Sequence, residues 1–399
     1  MRPVGLAIIG DRARFEGRAS KKIVRRRLVW RRRHYLALPL AGLFALLAAQ
    51  FIEMAVDPFS LYPWSPPRRV LEGNYSIGLS PYLFRVVARS DYDTVMLGAS
   101  TALNFLPSDM RAILSGTRTA VNLSYNAARP ADMGVAFDEI ARAKNVRRVL
   151  LTFDLTFAMP NDLRHEQFPF WLYDDDPTRH IFIFDKVAGE LTLRLLLGQP
   201  LTIPRWNFAQ FRRSLDRIYE TWRSPASIAT VQSTIEAKRA ELAEPSRLSC
   251  RDLPAIERRL APFAAALSAQ GKRLDVIIPP YAINFYHDQT SDRYRRVIPR
   301  LSLDGTILMR RCLVDALSKF DGARIFAFDS ERWLVEDLTN YYDVGHVYKE
   351  ELYRYMLAEI DAGRHVLTRE TFDLYASDLR SRVLNYRISK SEYEKAAAK

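Results

Sequence analysis

Short runs of consecutive apolar residues alternate, through most of this chain, with longer stretches whose apolar residues recur every three or four positions. The runs lie at 93–100 (DTVMLGAS), 119–126 (TAVNLSYN), 147–155 (RRVLLTFDL), 273–281 (RLDVIIPPY) and 323–329 (ARIFAFD). Each has the length and near-continuous apolar character of a strand buried on both faces. The periodic stretches between them predict helices at 107–114, 130–145, 254–271, within 294–319, and at 347–363. Pro107 and Pro130 mark helix starts, and Gly271 marks a helix end. Strands alternating with helices predict an α/β domain over 93–363, with a parallel sheet covered on both faces. Residues 156–250 break the rhythm and predict a mostly helical insertion, placed to cap the carboxyl ends of the strands. Its aromatic segments at 168–173 and 206–222 suit packing within the insertion slightly better than stacking on sugar rings. Residues 364–399 are polar and predict a peripheral tail.

A different pattern precedes the domain. The 18 residues 35–52 (YLALPLAGLFALLAAQFI) carry no charge, enough to cross the hydrocarbon core of a bilayer as a helix. Arg clusters at 25–27 and 31–33 stand directly before the run. By the positive-inside rule they stay in the cytoplasm and the bulk of the chain is exported. This reading predicts a basic cytoplasmic tail over 1–34, an anchor over 35–55 and a Pro- and aromatic-rich juxtamembrane linker over 56–92. A cleaved signal peptide fits less well, because its basic lead is shorter and a small-x-small site follows it. The expected location is the bacterial inner membrane, crossed once, with the globular part in the periplasm.

The net charge of +13 over 399 residues changes little once it is placed. Residues 1–34 hold twelve Lys and Arg against Asp11 and Glu16, leaving only +3 for the rest of the chain. The basic character is a tail rather than a groove, so a nucleic-acid partner is not expected. Cys312 falls on the buried side of a helical pattern, and free buried thiols are the favoured reading for it and Cys250, although an exported domain permits a disulfide.

In an open α/β sheet, chemistry gathers where loops leave the carboxyl ends of strands. Four segments reach that edge: Gly98-Ala99-Ser100-Thr101, Asn122 to Asn126, Phe153-Asp154, and Asn340-Tyr-Tyr-Asp343-Val-Gly-His346. A serine becomes a nucleophile only when a base takes its proton. An Asp three residues before a His suits holding an imidazole by one ring nitrogen and freeing the other as that base. Taken singly, each has a plainer use: Ser100 as a turn residue, Asp343 as a helix cap. His165, His180 and His287 show no metal-ligand spacing, and neither phosphate-binding glycine motif occurs. No metal or cofactor is therefore expected.

In combination, V-M-L-G-A-S-T-A-L-N-F-L-P-S, an Asn after the second strand and a late Y-Y-D-V-G-H resemble the SGNH/GDSL hydrolase superfamily. The pattern looks most like its membrane-anchored branch, which includes proteins of alginate O-acetylation and of D-alanine transfer to teichoic acids. The resemblance covers residues 93–155 and 273–360. It implies a flavodoxin-like sheet and acyl-ester chemistry on a surface or secreted polysaccharide, often beside a membrane-bound O-acyltransferase. Carried over, it implies Ser100 as nucleophile, His346 as general base and Asp343 as its orienting partner. The Ser100 N–H would be one oxyanion donor, and Asn126 falls near the usual place of a glycine donor. The family's asparagine after strand three is here Asp154, which when ionised accepts hydrogen bonds but donates none. Asn126 or Asn104 would then supply the missing donor. Otherwise Asp154 is structural, or the domain is a non-catalytic scaffold of a polysaccharide modification or export complex.

Overall fold

Five parallel strands form the central sheet of the computed structural model: β1 (Thr94–Leu97), β2 (Ala120–Asn122), β3 (Arg148–Thr152), β4 (Arg273–Ile278) and β5 (Ala323–Ala327). Their spatial order is β2-β1-β3-β4-β5, with every neighbouring pair parallel. The structure describes residues 35, 37–68, 70–73, 79–174, 185–204, 225–243, 245–246, 248–288, 302–343, 346–347 and 349–388. All residues of β1, β2 and β3 are buried, which accounts for their unbroken apolar reading. Helices Pro107–Ile113, Pro130–Arg142, Ala261–Ser268, Leu303–Leu317 and Glu350–Asp361 fall in the periodic stretches. Gly271 has φ +66°, the left-handed stop that follows Ala261–Ser268. Residues 289–301, where part of one expected helix falls, lie outside the described residues.

Polar contacts fix the β3-β4-β5 side of the sheet. Asp275 of β4 is fully buried and accepts from Arg148 of β3 at 2.7 Å and from Arg324 of β5 at 2.8 Å. Beyond β5, buried Asp329 pairs with Arg310 at 2.6 Å and accepts from the Tyr286 and Tyr375 hydroxyls at 3.0 Å. Breaking a buried pair of this kind by removing one partner costs about 3–5 kcal/mol.

Three expectations need correction. Cys250 and Cys312 are not free thiols: they form a disulfide, with Cα atoms 5.5 Å apart, between a 3₁₀ turn (Cys250–Asp252) and the helix Leu303–Leu317. Periodicity showed the burial of Cys312 but carried no sign of a partner 62 residues away. Residues 364–388 are not a loose tail. Helix Arg369–Asn385 buries Phe372, Tyr375, Leu379 and Val383, and Arg382 donates to the Asp329 carbonyl at 3.0 Å. The second half of the supposed linker is core as well, since Leu83, Phe84, Val86 and Val87 are all buried. A further pairing went unread: Val70–Gly73 pairs in parallel with Leu201–Pro204, a strand from within the insertion.

The chain divides into two compact units. The sheet belongs to Phe59–Arg179 with Gly198–Lys399, and the other unit is Met1–Pro58 with His180–Leu197. In the latter, the basic tail 1–34 lies outside the described residues. Helix α1 (Ala37–Val56) has 20 residues and is long and apolar enough to cross a membrane. At 1.5 Å per residue it spans about 30 Å, the thickness of a hydrocarbon core. Helix α2 (Lys186–Leu196) is capped by Asp185, which accepts from the N–H groups of Val187 and Ala188 at 2.8 and 2.9 Å.

Candidate active site

Gly98 follows β1 at a point where nothing larger fits. A Cβ at Gly98 would stand 2.1 Å from the Thr152 Oγ1 on β3 and 2.7 Å from the Ala102 Cβ. The chain then turns through one 3₁₀ turn, Ser100–Ala102. Asn122, the last residue of β2, fastens this turn from beneath. Its amide donates to the carbonyls of Ala102 and Phe105 at 2.8 and 2.9 Å, and its oxygen accepts from the Ser124 N–H. The Tyr125 N–H donates to the Gly98 carbonyl at 3.3 Å, which joins the loop after β2 to the same turn.

Across the turn stands an antiparallel hairpin, β6 (Tyr341–Asp343) and β7 (His346–Val347). It brings the His346 Nε2 to 2.9 Å from the Ser100 Oγ, across 246 residues of sequence. Both side chains are half-buried, so the pair is open to a substrate. The Asp343 backbone lies opposite His346 in the hairpin register, while its side chain lies outside the described residues. Among the described residues, neither the Ser100 nor the Thr101 backbone N–H has an acceptor. These are two adjacent open donors at the foot of the serine.

Asp154, one residue past the loop start of β3, is buried beside this turn. Its Oδ2 accepts from the Thr101 hydroxyl at 3.1 Å and its Oδ1 from the Thr156 N–H at 2.9 Å. Burial pushes its carboxyl above the usual range, against which the two hydrogen bonds and the charge of nearby His346 pull downward. Asp154 thus braces the serine turn through Thr101, and both oxygens are taken as acceptors.

The structure separates the two asparagines expected as donors. Asn104 is buried and its amide donates to the Tyr353 hydroxyl at 3.1 Å, which withdraws that N–H from any substrate. Asn126 is exposed in the loop after β2 and its side chain makes no hydrogen bond among the described residues. Tyr353 itself was not read from the sequence. Its hydroxyl donates to the Val347 carbonyl at 3.4 Å and its ring meets Phe105 edge-on at 4.9 Å, so it ties the hairpin to the serine turn. Its helical position in Glu350–Asp361 marked it only as a buried aromatic. Among the described residues, no group of three or more His, Cys, Asp or Glu side chains could hold a metal ion.

The pair occupies the place where open α/β sheets collect ligands. Counted along the chain, β1 connects to β2 on one side and β3 lies on the other, so the connections diverge between β1 and β3. Ser100 follows β1 and Asp154 follows β3. No family model matches the chain, and no curated protein or solved structure is significantly similar to it.

Proposed function

We propose that this chain is an exported, membrane-anchored serine acyltransferase or esterase of the SGNH/GDSL type. Its substrate class is the acyl esters, O-acetyl foremost, of a cell-surface or secreted polysaccharide. The observation that carries the reading is the 2.9 Å approach of the His346 Nε2 to the Ser100 Oγ, beside two open backbone N–H groups at a sheet switch point. The flavodoxin-like strand order 2-1-3-4-5 supports the family resemblance. The Cys250–Cys312 disulfide supports export, because such bonds persist in oxidising compartments. Helix α1 supports a single anchor, and a membrane-bound O-acyltransferase is the natural partner for a domain held at that surface.

In this mechanism the Ser100 Oγ attacks the acyl carbonyl while the His346 Nε2 takes its proton. The oxyanion is met by the Ser100 and Thr101 N–H groups, and Asp343 orients the imidazole. Collapse expels the donor's alcohol, which takes the proton from His346, and leaves an acyl-serine. A sugar hydroxyl or water then attacks that ester, His346 accepting its proton and returning it to Ser100.

The test is Ser100→Ala in cells without paralogues, with polysaccharide O-acyl groups read by NMR and the purified protein challenged with a fluorophosphonate probe. Loss of the nucleophile should remove acylation or deacylation and abolish labelling, with protein abundance unchanged, because such a loss costs several orders of magnitude in rate. A second reading, a non-catalytic scaffold, draws on Asp154, whose carboxylate supplies no donor where the resemblance implies an asparagine. Wild-type glycan in the Ser100→Ala strain, together with an unlabelled wild-type protein, would favour it.

A further inference from the structure

Large apolar side chains left exposed are concentrated in one unit of this protein. Of the sixteen among the described residues, ten lie between Tyr35 and Met54 on or beside α1. Three more, Leu193, Leu196 and Leu197, lie at the end of α2 and are 58%, 59% and 64% exposed. The other three, Trp64, Trp333 and Leu374, lie elsewhere along the chain. The leucines of α2 therefore share a unit with the helix suited to a bilayer.

Helix α2 packs at one end of α1. A Cβ at Gly189 would stand in ordinary contact with the Glu53 Oε1, at 3.6 Å, which places the start of α2 against the last turn of α1. There α1 buries Gln50 and Glu53, while from Ala37 to Leu47 its residues are exposed. On its other side α2 is graded lengthwise rather than striped. Its exposed positions begin with Lys186 and Glu190 and finish with Leu193, Leu196 and Leu197. Arg194, the one charge near the apolar end, is neutralised by Glu190 one turn back at 2.9 Å. Gly198, at φ +70°, ends the helix directly after the leucines.

A charged start and an uncharged, leucine-lined finish suit a helix that enters a bilayer by its tip. We infer that the last turn of α2 inserts into the acyl chains of the leaflet in which α1 ends, giving the protein a second, shallow membrane contact. The occupant is lipid because the apolar tip belongs to the same unit as α1, and α2 meets α1 through Gly189 at Glu53, where a bilayer-spanning helix leaves the hydrocarbon. The inference rests on the anchor reading of α1. Its effect is on the unit that holds α1: a single spanning helix is free to rotate about its axis, and a second contact fixes that rotation.

The test uses the full chain in nanodiscs of phosphatidylethanolamine and phosphatidylglycerol, with the native disulfide intact. Nitroxide labels are placed singly at Leu196→Cys, Leu197→Cys, Lys186→Cys and, on α1, Leu43→Cys. Collision with oxygen, which concentrates in acyl chains, is compared with collision with a water-soluble nickel chelate. Labels at 196 and 197 should match the label at 43, with an oxygen-to-nickel ratio several-fold above that at 186. Nickel access at 196 and 197 with a shielded 43 would overturn this inference and leave the anchor standing. Shielding of 196 and 197 from both reagents would place protein, not lipid, over the tip and overturn it equally. Nickel access at 43 would overturn the anchor itself.

Discussion

Asn104 and Tyr353, 249 residues apart, meet through an amide-to-hydroxyl hydrogen bond of 3.1 Å. The same hydroxyl reaches the carbonyl of Val347, the neighbour of His346. One phenol therefore sets the distance between the turn that carries the serine and the hairpin that carries the histidine. Tyr353→Phe keeps the edge-on contact with Phe105 and removes both hydrogen bonds. Stability should fall by about 1–2 kcal/mol, the cost of leaving buried polar groups unpaired. Turnover should fall by about tenfold or more with little change in KM, because a small misplacement of the base acts on the chemical step. Equal losses in thermal stability and activity across temperature would instead mark the hydroxyl as a purely structural group.

Asp154 is braced by Thr101 and Thr156, and its charge faces His346. Asp154→Asn keeps the volume and an oxygen for the Thr156 N–H, and the Thr101 hydroxyl can rotate to accept. Folding stability should change by no more than about 1 kcal/mol. In the proposed mechanism the imidazolium of the transition state loses a nearby negative charge, so turnover should drop by roughly tenfold, about 1.4 kcal/mol in barrier. Ester hydrolysis by the purified variant measures it, and a rate equal to or above wild type would remove the carboxylate from the chemistry.

The disulfide closes a loop between Cys250 and Cys312, residues 62 apart. Removing it frees the unfolded chain, which by loop-closure entropy is worth up to about 4 kcal/mol. The double variant Cys250→Ser with Cys312→Ser should lose about 2–4 kcal/mol in denaturant titrations. In cells, wild-type protein should fall in abundance when the disulfide-forming machinery of the exported compartment is absent. Free thiols in cells with that machinery intact, and abundance unaltered by its loss, would place the domain in a reducing compartment.

His287 is buried, and burial lowers its ring from the usual 6.5 to about 4. A base whose folded value is depressed takes up protons more readily when unfolded. Between pH 6.5 and 4 the unfolded state binds more protons, and stability falls as pH falls through that window. The loss approaches on the order of 3 kcal/mol at the acid end. His287→Gln should start less stable at pH 7 but show a flatter decline toward pH 4.5 in denaturation midpoints. A parallel decline for both proteins would assign the acid sensitivity to other groups.

The sheet was legible because burial on both faces makes each strand a continuous apolar word, and the five words at 93–100, 119–126, 147–155, 273–281 and 323–329 each contain one strand. Ser100 and His346 were legible because each follows or precedes such an element with a residue of distinctive chemistry. What stayed hidden depends on contacts between distant parts of the chain. Nothing local marks Cys250 as a partner of Cys312, Tyr353 as the link to Asn104, or Leu201–Pro204 as a strand. Arg369–Asn385 was hidden for another reason: its buried face includes Arg382 and Tyr375, so the polarity of the segment resembled that of a surface tail. Asn104 misled because residue type shows donor capacity but not whether the donor is already spent.

His346 rides on a hairpin whose two strands, among the described residues, pair with each other apart from the five-stranded sheet. The serine turn rests on β1, β2 and β3 and on Asp154 with Thr156, all made by Thr156, whereas the hairpin comes 246 residues after Ser100. At ribosomal speeds of roughly 5–20 residues per second, the interval from Thr156 to His346 lasts about 10–40 seconds. During synthesis the turn that carries Ser100 is therefore complete long before His346 arrives, so the proposed nucleophile waits without its proposed base until the hairpin has been made.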